Sequence, residues 1–237
     1  MRVLVPVEVL EGESVPAGLI DLLSTADVTL LGYHVLPEQT PPDQARAQFE
    51  ERAVGALEDV AEEFRMAGGD ADHRLVFTHD RRQSVERVAD DVDADALVFT
   101  GATGEVESLL VPLSGEVDVE GLLDFVVELV GDRDVGATLL YAAPDDASDS
   151  RLEEAEDRLD AAGVDVSGVR AAGNAFDALM DALPGHEVVV MAERAPSLSS
   201  LVFGEESERV AAASVGPVIV VRGPGDGDVE GGDGEEK

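Results

Sequence analysis

The chain has 237 residues, 44% of them hydrophobic, no cysteine, and 52 acidic against 16 basic residues, for a formal charge of −36. That length and apolar content allow one large core or two small ones, and the missing cysteines exclude disulfides, thiolate metal sites and cysteine nucleophiles. A surface this acidic repels phosphate backbones and anionic lipid, so no nucleic-acid partner is expected, and no apolar run approaches the roughly 18 residues needed to cross a bilayer, so no direct membrane insertion is expected.

The elements read in chain order. "RVLVPV" (2–7), "DVTLLGYHV" (27–35), "HRLVFTH" (73–79) and "DALVFT" (95–100) are short β-branched runs, apolar on both faces as parallel strands under two helical layers must be. Phe49, Ala53, Leu57, Val60 and Phe64 recur at helical spacing between Thr40-Pro41-Pro42-Asp43 and Gly68-Gly69, which predicts one long helix with both ends marked. Val85, Val88, Ala89 and Val92 predict a shorter one.

From Ser108 the plan repeats. Leu110-Val111-Pro112 answers Leu4-Val5-Pro6, Gly121-Leu122-Leu123-Asp124 answers Gly18-Leu19-Ile20-Asp21, and Thr138-Leu139-Leu140 answers Thr29-Leu30-Leu31. A helix over 152–162 stopped by Gly163, a strand "VDVSGVRA", a helix over 176–183 stopped by Pro184-Gly185 and a strand "EVVVM" follow. Last comes "FGEESERVAAASVGPVIVV" (203–221), a helix near Val210 and a strand from Pro217 to Val221, which has no counterpart in the first half. The expected fold class is α/β, with two tandem doubly wound domains. They span 1–104, with four strands and no last helix or strand, and 108–222, with five. Residues 223–237, glycine and acid with almost nothing apolar, are expected to be a disordered tail.

"VLVPV", "LLVPL", "VTLLGYHVLP", "ATLLYAAP" and above all the closing "FGEESERVAAASVGPVIVV" resemble the universal stress protein family. The resemblance implies that strands one and four of each half are neighbours at a switch point, with any ligand beyond their carboxyl ends. Val7, Glu8, Thr100 and Gly101 line that crevice in the first half, and Leu113, Ser114, Met191 and Ala192 in the second. ATP-binding members carry an aspartate after the first strand and a Gly-x2-Gly-x9-Gly-Ser/Thr loop after the fourth, so that amides and a helix start meet the phosphates.

Here Glu8 and Ser114 replace the aspartate. Gly101 and Gly104 keep only the opening of the first loop, which runs straight into the next strand. In the second half Ala192 and Ala195 replace glycines, and Gly204 is followed by Glu205-Glu206. Val7, Glu8, Thr100, Gly101, Gly104, Ser114 and Gly204 are therefore the candidate nucleotide residues, in a site expected to be degenerate. No cofactor is expected, ATP or AMP being the alternative.

No histidine stands in a metal-ligand spacing. His34 is expected to be a satisfied strand residue, and His79-Asp80 is the best acid–base candidate. No catalytic motif is present, and no enzyme is expected.

The reading is a non-catalytic, cytoplasmic stress-response or regulatory protein that acts on a protein partner. The alternatives are an ATP- or AMP-binding sensor and a soluble regulator of a membrane transporter. Family members pair through their fifth strands, so a homodimer through Pro217 to Val221 is expected. The single lysine, Lys237, beside 52 acids resembles proteins of salt-accumulating halophiles, where a Debye length of about 3 Å at 1 M salt screens self-repulsion.

Overall fold

The computed structural model describes residues 1–115, 117–142, 146–193 and 216–223. The first half is built from β1 (Arg2–Val7), α1 (Ala17–Leu23), β2 (Asp27–Val35), α2 (Pro42–Met66), β3 (Ala71–Thr78), α3 (Arg81–Asp91) and β4 (Ala96–Phe99). The second repeats the alternation with β5 (Ser108–Pro112), α4 (Val119–Val130), β6 (Gly136–Ala142), α5 (Asp146–Ala161), β7 (Val166–Ala171), α6 (Ala175–Ala182), β8 (Val188–Ala192) and β9 (Val218–Val221).

Local chemistry sets the helix ends. Pro42 in the first turn fixes φ for α2, Asp43 and Arg65 lie at the ends their charges favour, and Gly68, at φ 89°, turns the chain out. Asp80, Asp118 and Asn174 cap α3, α4 and α6 by accepting from the amides of Gln83, Gly121 and Asp177. Along α2, Ala53, Leu57, Val60, Ala61 and Phe64 are buried, the stripe that the sequence spacing predicts.

Nine strands form one sheet in the order β3-β2-β1-β4-β9-β8-β5-β6-β7. The halves share a register. Leu4 faces Thr29 across β1 and β2, and Leu110 faces Thr138 across β5 and β6, which are the pairs equated by the sequence repeat. Alternating side chains divide the core. Val3, Val5, Leu109 and Val111 pack under α1, α2, α4 and α5, while Leu4, Leu97, Leu110 and Val189 pack under α3 and α6.

The expected four-stranded and five-stranded sheets are thus a single sheet, because β9 serves both. It runs parallel to β8, with Val189 opposite Val218, and antiparallel to β4, with Phe99 opposite Val218 and Ala96 opposite Val221. Ile219 packs with one core layer and Val220 with the other. The strand missing from the first half is supplied by the end of the second. Both backbone edges of β9 are therefore engaged within the chain, and the chain-to-chain pairing expected of Pro217 to Val221 finds no unpaired edge there.

Contacts outside the sheet tie the halves together. The Arg133 guanidinium donates to the Asp21 carbonyl and the Ser24 hydroxyl at the end of α1, at 3.1 and 3.0 Å. The amino terminus pairs with Glu128 on α4, and Arg222, just after β9, pairs with Asp90 on α3. No helix among the described residues is long and apolar enough to cross a membrane. Most of the expected tail, from residue 224, lies outside the described residues.

Candidate functional site

Antiparallel pairing of β4 with β9 points the strand carboxyl ends of the two halves in opposite directions. The seven candidate residues therefore do not converge. Val7, Glu8, Thr100 and Gly101 lie at the rim of the first half, Ser114 belongs to the opposite rim, and Gly204 falls outside the described residues.

At the first rim β1 ends on Val7, which is fully buried and paired with Gly32 of β2. The chain then leaves the sheet, and Glu11 donates its amide to the Glu8 carbonyl at 3.1 Å, curling the loop back. That curl brings Glu13 over the crevice. Its Oε2 accepts the Glu8 amide at 2.5 Å, and its Oε1 accepts the Thr100 hydroxyl from the far side of the switch point. The amide that follows β1 and the hydroxyl that follows β4 are donors an incoming anion would use. A carboxylate of the same chain already holds both, through charge-assisted bonds stronger than neutral ones.

Tyr33, on β2, lies against this cluster. Burial pushes its phenol well above the ordinary range; Arg81 pulls it back, and the Glu13 and Glu8 charges push it further up. It stays protonated at any physiological pH. The guanidinium of Arg81, at the start of α3, stands 5.0 Å from the Tyr33 ring centre and 5.9 Å from that of Phe99. It is a cation at this rim, resting on aromatic faces.

The loop from Gly101 to Gly104 closes on the first helix. A Cβ on Gly18 would fall 1.7 Å from the Gly104 carbonyl, so the loop is pressed against α1, and only the absent side chain permits it. Residues 105–107 then lead into β5, and no helix starts there to receive an anion. The Thr103 hydroxyl oxygen is buried without a hydrogen-bond partner.

The second rim is built differently. The Ser114 hydroxyl oxygen accepts the Ala142 amide at 2.7 Å, extending the ladder between β5 and β6, and the side chain is buried. Asp118 occupies the Gly121 amide at the start of α4, at 3.1 Å. A cavity of about 690 Å³ lies beside Ala192, Val221 and Arg222, walled by Gly121 and Phe125. The Arg222 guanidinium already pairs with Asp90.

His79 and Asp80 have structural tasks. The His79 Nδ1 meets the Leu36 carbonyl at 3.2 Å, and Asp80 caps α3. His34 departs from expectation. It is partly buried edge-on to Phe49 and Phe77, and its Nδ1 is enclosed without a hydrogen-bond partner. The sequence does not single out Glu13, because a loop glutamate among 52 acids carries no spacing signal.

The sequence matches no protein-family model and no curated protein. Solved structures are similar to the fold. A universal stress protein from Archaeoglobus fulgidus superposes with a TM-score of 0.69 at 16% identity, over 95% of this chain and 97% of that one. A protein from Pseudomonas aeruginosa assigned to the universal stress proteins gives 0.54 at 13% identity, over 93% and 92%. The chain has the universal stress protein fold along nearly its whole length.

Proposed function

We propose that the protein is a non-catalytic regulatory protein of the universal stress type, acting in a cytoplasm rich in salt through a protein partner, with a first-half crevice closed to adenine nucleotides. The observation that carries this reading is the Glu13 carboxylate lying across the Glu8 amide and the Thr100 hydroxyl. A triphosphate would have to expel a tethered carboxylate whose effective concentration is set by a few residues of loop, and would then face Glu8, Glu11 and Glu13 together. The fold comparison supports the stress-protein character, and the charge of −36 supports a protein partner over a nucleic acid.

Arg81 favours a second reading, an ATP or AMP sensor, because a cation over two aromatic rings at the same rim is suited to a phosphate or an adenine ring. Calorimetry with ATP, ADP and AMP in molar KCl separates the two. The closed crevice gives no saturable heat with any of them. Saturation at micromolar nucleotide overturns the proposal in favour of the sensor.

A further inference from the structure

At the edge of the crevice, Glu8, Glu11 and His34 each bring one ligand atom to within 4.8 Å of the others. We infer that these three residues bind a first-row divalent transition-metal ion of the zinc, cobalt or manganese kind. Glu8 follows β1, Glu11 returns over it through the 3.1 Å turn bond to the Glu8 carbonyl, and His34 comes from the adjacent strand β2. No ion pair joins His34 to either glutamate among the described residues, so the donors stand too far apart to satisfy one another. An ion with bonds of about 2.0 to 2.2 Å bridges such a gap after a small closure of the loop.

Two further observations point to a ligand. The His34 Nδ1 is buried without a hydrogen-bond partner, which a folded chain ordinarily avoids, and the edge-on rings of Phe49 and Phe77, at 6.0 and 6.4 Å, fix the plane of the imidazole. The nearby Glu13 carboxylate is held by the Glu8 amide and Thr100, whereas no protein donor reaches the Glu8 or Glu11 carboxylates among the described residues. A cation supplies what the protein does not. An imidazole with two carboxylates selects transition ions over magnesium and calcium, which take oxygen ligands, and three protein ligands leave a position for water or a small anion.

The inference does not depend on the crevice excluding nucleotides. It is tested on the full chain by titration calorimetry with zinc alone, in molar KCl that screens diffuse attraction to the acidic surface. One equivalent is expected to bind and to survive excess magnesium. Glu11→Gln, on an exposed side chain, and His34→Ala are each expected to weaken it at least about tenfold, while His73→Ala leaves it unchanged. Wild-type affinity in both the Glu11 and His34 variants, or displacement by magnesium at equal concentration, would show only general attraction to carboxylates and overturn the assignment.

Discussion

Glu13 joins two strand ends that are far apart in sequence, and its value can be measured apart from any ligand. Truncating it leaves the Glu8 amide and the Thr100 hydroxyl in a partly buried rim without an acceptor. Glu13→Ala is expected to lower unfolding free energy by about 2 kcal/mol, with Glu13→Gln costing less because an amide oxygen still accepts. Denaturant unfolding at fixed KCl measures this, and a loss below about 0.5 kcal/mol, the scale of an ordinary surface change, would show that the carboxylate is not held there. The positions of Glu8 and Thr100 were legible in the sequence, since they follow from where strands end. Their partner was not, because hydrogen bonding across the switch point depends on how a loop curls. The unpartnered Nδ1 of His34 is hidden from the sequence for a related reason. A strand pattern tells which face a histidine occupies but not whether a partner meets its ring.

The helices and strands were readable because their signals are local: proline and acid at the start of α2, glycine after it, and an apolar stripe between. The role of β9 was not. "PVIVV" announces side chains covered on both faces, but every backbone carries the same donors and acceptors, so the sequence does not reveal which strands lie beside it. The missing fifth strand of the first half therefore looked like a loss, whereas one strand completes two half-sheets. Ile219 is fully buried in the core layer shared by both halves. Ile219→Ala is expected to cost about 2 to 5 kcal/mol and to lower the stability of both halves in a single cooperative transition. Two transitions followed by differential scanning calorimetry, only one of them shifted, would show that the halves do not depend on a common strand.

At the scale of the molecule, 36 net negative charges on a compact body repel one another more than on an unfolded chain. Ion pairs such as Arg46 with Glu50 and Arg82 with Glu86 are exposed helix pairs too weak to offset this. Screening should dominate, so the melting temperature is expected to rise steadily from dilute buffer to molar KCl. A flat or falling profile would mean that self-repulsion is not a main determinant of stability. The duplicated register, the shared strand and the cross-links by Arg133 and Arg222 make one body with two unlike rims, of which the first is filled by its own carboxylate. Crystals grown in molar KCl with excess ATP test that claim most directly. The account predicts the Glu13 carboxylate still bound to the Glu8 amide and the Thr100 hydroxyl, and phosphate oxygens on those two donors, with Glu13 displaced, would contradict it.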